Sequence, residues 1–193
     1  MDRRTYFPLR ALRALAKDGV IGGVSERFYG VPTNRSQRIT TQIDGPALVD
    51  FCKSDGVDAA VLVPNCPVCH QSVALAASAL EEAGIPTVIM GCAKDITEQV
   101  GVPRLLFSNF PLGNGAGLPH DVESQIETAH MAVQMLETAE RPRTTQQSPI
   151  VWPGAADWQK DYSNAELLSR EEIKRRRAAF DTVKDEAKVV KTG

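Results

Sequence analysis

Two cysteines three residues apart, with a histidine directly after the second, stand where an apolar run stops: residues 61–72 read VLVPNCPVCHQS. Three chemistries use such a string. C-x-x-C-H is the attachment signature of a covalently bound haem. Paired cysteines also serve as half of a zinc clip, which commonly needs a second pair of Cys or His to complete four ligands. Two thiols one helical turn apart can instead react, one attacking and the other resolving the mixed disulfide. Haem attachment normally follows export, and the opening MDRRTYFPLRALRALAKDG has charges but no apolar core of a secretory signal. No second CxxC exists, because the other cysteines, Cys52 and Cys92, are single. The reading without chemistry makes both cysteines small buried hydrophobes, and a position at a strand end argues against it. The reactive dithiol is the preferred reading, with metal binding as an alternative.

The elements that must position these sulfurs follow from periodicity. VDAAVLV (57–63), IPTVIMG (85–91) and RLLFSNF (104–110) are apolar runs of strand length bounded by turn residues. HQSVALAASALEEAG (70–84) and DVESQIETAHMAVQMLETA (121–139) are helical patterns, the second with Asp121 as N-cap. Residues 1–18 form a short amphipathic helix, 19–42 an irregular connection, and Asp44-Gly45-Pro46 opens a helix that ends near Gly56. Strand and helix alternate as in βαβ units, and strands apolar at every position need helices on both faces. The expected fold is therefore α/β: a small three-layer, mainly parallel sheet of Rossmann-like or flavodoxin-like type, with N- and C-terminal helical extensions. Residues 1–193 form one domain with its core at about 44–140. Residues 141–163 are an extension carrying Trp152 and Trp158, and 164–190 a last charged helix. Three or four strands make a thin core, so a homo-oligomer or a partner subunit is expected, with both tryptophans as candidate contacts; packing on their own domain is the plainer alternative.

In open α/β sheets, ligands gather at the carboxyl ends of the strands. Cys66 lies just past the first strand and Cys69 at the start of the following helix, where unpaired N–H groups and the helix dipole lower a thiol pKa. Cys66 is the expected nucleophile, Cys69 the resolving thiol, and His70 the group that exchanges a proton with Cys66. The second strand delivers Cys92 to the same edge, and the third leads into SNFPLGNGAGLPH. Asn65, Cys92, Asn109, Gly113, Asn114, Gly115 and His120 are the candidate substrate-binding residues, His120 also for proton transfer. The glycines at 113, 115 and 117 let backbone N–H groups approach an anion, although glycine density of this kind also serves plain turns. The spacing is not the dinucleotide fingerprint.

Charge narrows the partners. The 193 residues carry 22 basic and 24 acidic side chains, a net charge of −2, without the basic excess of a nucleic-acid binder. IKRRR (173–177) sits among acidic residues and reads as a solvated helix face. No stretch approaches the roughly 18 apolar residues of a membrane span, so a cytoplasmic protein with reduced thiols is expected.

DGVDAAVLVPNCPVCHQSVALAASALEEAGIPTVIMG, with RLLFSNFPLGNGAGLP downstream, resembles the selenoprotein B family of glycine, sarcosine and betaine reductases and D-proline reductase. The similarity runs from about Gly45 to Leu136. It places Cys66 where well-known members carry selenocysteine, and Cys69 on the second cysteine. It implies an oxidoreductase that reductively cleaves an α-substituted carbon–nitrogen bond of a small substrate, whose anionic group the Gly113–Gly117 loop is expected to orient. A pyruvoyl group on a partner subunit activates the amine, and external dithiols regenerate the site. No pyruvoyl precursor site is readable here, so this chain itself is expected to carry no cofactor and no metal. A cysteine in place of selenocysteine is a weaker attacking group at neutral pH. Two alternatives stand beside this function: a non-catalytic electron-relay or assembly subunit, and a metal-binding protein using the CxxC.

Overall fold

The computed structural model describes residues 2–154, 158–159, 168–178 and 181–182. The chain divides into two compact units, Met1–Trp152 and Pro153–Gly193. In the second, residues 170–178 and 181–182 are helical. Glu172 there pairs with Arg175 and Arg176 one turn on, each at 2.8 Å. These residues fall within the charged helix expected over 164–190, whose remainder lies outside the described residues.

The first unit is built on a four-stranded sheet, β1 (Ala60–Leu62), β2 (Thr87–Gly91), β3 (Arg104–Phe107) and β4 (Thr144–Gln147). The order is β1-β2-β3-β4 and every pairing is parallel. Helices α3 (Gly45–Ser54), α4 (Pro67–Glu82) and α5 (Lys94–Val100) lie on one side, and α6 (Val122–Thr138), backed by α1 (Leu9–Lys17), on the other. Side-chain alternation along the strands assigns the two cores. Ile89 and Leu105 pack with Val73, Ala77 and Leu80 of α4, whereas Val88, Met90 and Leu106 pack with Ala132 and Met135 of α6. Both faces are covered, which is why the strands carry apolar residues without interruption.

Two elements differ from the sequence reading. The helix expected at Asp44 begins earlier, as α2 (Gln37–Ile39) capped by Ser36, and continues into α3 through a π-turn over Thr40–Asp44. Pro46 supplies the reason. It has no N–H for the carbonyl four residues back, and its ring presses on that carbonyl, so the turn before it widens. Gly45 then lets the helix meet α4 closely: a Cβ there would stand 3.0 Å from the Ala79 Cβ. The second difference is β4, which lies in a stretch read as an extension. Its sequence is TTQQ, half exposed along its length. An edge strand paired on one side needs no apolar run, and β-branched threonines are enough to hold it extended.

The connections matter for the site. The helices after β1 and β2 share one face, while α6, after β3, takes the other, although every step advances one strand in the same direction. The β1–β2 and β3–β4 crossovers therefore have opposite hands, so one departs from the usual right-handed rule. The chains leaving β2 and β3 diverge to opposite faces, which makes their carboxyl ends the switch point of the sheet.

Loop packing at this edge is tight. A Cβ on Gly115 would lie 2.5 Å from the Met90 carbonyl oxygen of β2. Gly115→Ala is therefore expected to lower stability by about 1–3 kcal/mol, the ordinary cost of overpacking, measured by urea denaturation. An unchanged midpoint would mean that the loop does not rest on β2.

Candidate functional site

The loop after β1 brings Cys66 to the N-cap of α4 in extended conformation, with Pro67 at the first helical position. Proline there has its backbone preset for a helix and wastes no N–H. The Cys66 Sγ accepts the backbone N–H of Cys69 at 3.2 Å, a place usually held by a Ser, Thr, Asp or Asn oxygen. The two sulfurs are joined as a disulfide, with Cα atoms 4.9 Å apart. Both residues are half-buried while Asn65 and Pro67 beside them are exposed, so the turn is open to solvent.

His70, one helical turn after Cys66, is fully buried. Its Nδ1 lies 2.8 Å from the Cys66 carbonyl oxygen. Its Nε2 accepts the backbone N–H groups of Cys92 and Ala93 at 3.0 and 3.1 Å. Two N–H groups pointing at Nε2 leave it no proton, so the ring is neutral and donates from Nδ1. Burial pushes the His70 pKa down, against the pull of the Cys66 carbonyl and the Asp95 charge. Proton exchange between His70 and the Cys66 thiol, expected from the spacing, does not fit this arrangement. Both nitrogens are committed to backbone groups.

Cys92 leaves β2 at the switch point and is a free thiol. Burial pushes its pKa up to about 12, against the opposing backbone N–H groups of Asn114 and Phe110. At neutral pH it is an S–H group and no nucleophile.

No family model matches the chain, and no solved structure does. Curated proteins do. The chain is 33% identical over 125 residues to the D-proline reductase subunit gamma of Acetoanaerobium sticklandii, covering 64% of this chain and 52% of that protein. It is 29% identical over 148 residues to the glycine reductase complex component B subunit gamma of Carboxydothermus hydrogenoformans, covering 75% and 33%. A betaine reductase complex component B subunit beta from Peptoclostridium acidaminophilum is 28% identical over 116 residues, covering 58% and 26%. The chain is a homologue of reductase-complex subunits. It spans about half the length of the D-proline reductase subunit and about a third or less of the other two.

In this reductase-subunit homologue the residues singled out from sequence fall into two groups. Cys66, Cys69, His70 and Cys92 are linked through one imidazole, and the backbone of Asn114 adjoins Cys92. Asn65 and Asn109 are exposed at loop positions after β1 and β3. His120 is exposed with φ of 62°, its backbone N–H held by Asp2 at 2.8 Å. The glycine loop is occupied with its own packing. Gly113 offers its carbonyl to the Thr5 hydroxyl, Ala116 N–H bonds the Thr5 carbonyl, and Gly117 abuts Gln125. The Asn114 side chain donates to the Pro111 carbonyl. Turn-making thus accounts for these glycines without a ligand. Among the described residues, no group of three or more His, Cys, Asp or Glu is placed to hold a metal ion.

Sequence reasoning missed Asp2 and Thr5. The buried Asp2 carboxylate accepts from Arg4, from His120 N–H and from Gln125 Nε2, and so pins the far end of the loop region to the N-terminal segment, while Thr5 holds Gly113 and Ala116. The Arg4 guanidinium, ahead of the other donors, holds the Asp2 pKa well below the usual carboxylate range. A polar residue that anchors a loop from more than a hundred positions away leaves no local signal. Trp152, by contrast, packs on Phe110 of its own unit, ring centroids 5.3 Å apart.

A neutral buried His70 makes stability depend on pH with a definite sign. Its folded pKa is below the ordinary 6.5, so the unfolded chain binds more protons between the two values. The contribution is complete above pH 6.5 and is lost as pH falls below it. Melting temperature is expected to drop between pH 7 and pH 5, with that component missing in His70→Gln. Identical pH profiles for the two proteins would be the contrary result.

Proposed function

We propose that this chain is a thiol-dependent subunit of a reductase complex, in which Cys66 and Cys69 supply the two electrons for reductive cleavage of a small substrate. One observation carries the reading: a sulfur stands at the N-cap of α4, where helix stability alone would choose an oxygen. Replacing a good capping residue typically costs about 1 kcal/mol, and local rules are broken where function requires it. A thiolate at that point is favoured by the Cys69 N–H and by the helix dipole.

The chemistry balances as a two-electron reduction. The reduced Cys66 thiolate attacks the α-carbon of an activated amino-acid-like substrate, and the carbon–nitrogen bond breaks with the amine leaving as its protonated form. Cys69 then displaces the carbon fragment from sulfur, which takes up a proton. The products are the saturated acid, the amine and the Cys66–Cys69 disulfide, and an external dithiol restores the two thiols. The names of the homologues, reductases of glycine, betaine and D-proline, support an amino-acid-derived substrate. Activation of the amine by a carbonyl group is assigned to a partner subunit. Cys92, as a neutral S–H at the switch point, together with Asn65, Asn109, Asn114 and the glycine loop, is assigned to the substrate side.

One observation favours a second reading, an electron-relay subunit with no turnover of its own: His70 has no nitrogen free to move a proton. The test separates the two. After reduction, alkylation by iodoacetamide followed by mass spectrometry is expected to show Cys66 reacting fast with a midpoint below pH 8, and Cys92 slow throughout. Purified with its co-expressed partner subunits, the protein is expected to reduce glycine, betaine, sarcosine or D-proline with dithiothreitol. Cys66→Ser should lower that turnover by more than about a thousandfold. A fast Cys66 without turnover of any substrate would give the relay reading, and a Cys66 as slow as Cys92 would sink both.

A further inference from the structure

We propose that His70 is a positioning residue for the redox pair: as the Nδ1–H tautomer it fixes the Cys66 backbone, so that the Cys66 sulfur stays aimed at the Cys69 N–H. The inference rests on the dithiol reading above and gives the histidine a role other than proton transfer.

The Cys66 carbonyl oxygen accepts two hydrogen bonds from the same residue. One is the helical bond from the His70 backbone N–H at 3.1 Å, and the other comes from Nδ1 at 2.8 Å. A carbonyl held from two directions cannot swing, and its orientation sets where the Cys66 side chain leaves the backbone. The far side of the ring is held as firmly. Nε2 takes the amides of Cys92 and Ala93 just after β2, and a Cβ on Gly91 would stand 3.2 Å from Cδ2. The glycine at the end of β2 thus leaves room for the ring. Three backbone groups, two on the β2–α5 connection and one on the CxxC turn, are coupled through one rigid heterocycle.

Reduction is where this matters. When an external dithiol reduces the protein disulfide, two electrons and two protons pass to the protein, and the reagent leaves as its own disulfide. The Cys66 thiol can then ionise, and the Cys69 N–H bond to it becomes charge-assisted, which strengthens it about twofold. That gain depends on the direction of the Cys66 side chain. If the Cys66 carbonyl is freed, the reduced form loses stabilisation and the equilibrium moves toward the disulfide. A redox pair whose reduced form is stabilised is the more oxidising one.

Two substitutions divide the ring's functions. Asparagine places an amide nitrogen near the position of Nδ1 and can rebuild the donor to Cys66. Glutamine reaches to the position of Nε2 and can rebuild the acceptor for Cys92 and Ala93. A core staple with no redox role would show both as similar losses of stability and neither as a change of equilibrium.

The experiment equilibrates the full-length protein with reduced and oxidised dithiothreitol at fixed pH, with the dithiol fraction read by alkylation and mass spectrometry. His70→Ala and His70→Gln are expected to shift the equilibrium about tenfold toward the disulfide, or about 30 mV for a two-electron couple. His70→Asn is expected to recover most of that shift while melting no higher than His70→Gln. An unshifted equilibrium in His70→Ala, or an Asn variant no better than the Gln variant, overturns the proposal. Should His70→Ala fail to fold, the Asn and Gln comparison stands, and nitrogen-15 NMR of the wild-type imidazole adds a readout. A proton on Nδ1 is expected, and one on Nε2 overturns it. The equilibrium needs no substrate, so the two readings fail separately. Turnover surviving Cys66→Ser removes the reductase mechanism and leaves the positioning result intact, whereas an essential Cys66 with unshifted His70 variants removes only the positioning role.

Discussion

The imidazole of His70 is the joint on which this edge of the sheet depends. It is buried without exposure and closes three backbone hydrogen bonds, one to the start of α4 and two to the turn that follows β2. A buried polar ring is tolerable only when its nitrogens are satisfied, and here Nδ1 shares the Cys66 carbonyl with the helical bond while Nε2 serves the amides of Cys92 and Ala93. The cysteine pair on α4 and the cysteine after β2 thereby belong to one rigid arrangement. No packing of apolar side chains would fix those two turns with comparable directionality.

Two sulfur environments result from that arrangement. The Cys66 sulfur lies at a helix N-terminus, half-buried and facing backbone N–H, where negative charge is favoured. The Cys92 thiol is desolvated at the sheet's switch point, where burial outweighs the two backbone N–H groups near it and the proton stays on. Burial thus keeps the proton on Cys92, whereas Cys66 is placed where a helix terminus meets its sulfur.

Much of this was readable from sequence where the cause is local. The apolar runs of β1, β2 and β3, the cap at Asp121 and the placement of Cys66 before a helix all follow from patterns a few residues long. β4 was not readable, because TTQQ has no apolar signature and is recognised as a strand only beside Arg104–Phe107. The early start of α2 was hidden by Pro46, which as a sequence signal marks a helix beginning but here sits behind a π-turn. His70 was singled out as a partner of the Cys66 thiol, whereas its ring bonds backbone groups at both nitrogens. Its spacing from Cys66 is visible in one dimension, whereas the amides of Cys92 and Ala93 that occupy Nε2 come from another strand. The clamp by Asp2 and Thr5 on the glycine loop is longer in range still.

Three departures from local preference lie at the carboxyl end of the sheet: a cysteine where a capping oxygen is favoured, a buried histidine, and a non-glycine residue, His120, at positive φ. Each lowers local stability, and a left-handed residue alone costs roughly 1 kcal/mol. The opposite end has departures of its own, Arg143 at φ of 62° just before β4 and a buried Arg104 Nε without a hydrogen-bond partner among the described residues, beside a polar cluster. There Glu81 bonds Arg104, the Thr87 hydroxyl and the Thr87 N–H, so that β2 and β3 are tied together near their starts. Stabilising polar contacts and costly ones thus occur at both ends of the strands, the Asp2 cluster at one and the Glu81 cluster at the other. What distinguishes the carboxyl edge is therefore not strain as such but the meeting there of the CxxC turn and the backbone after β2 on one buried imidazole.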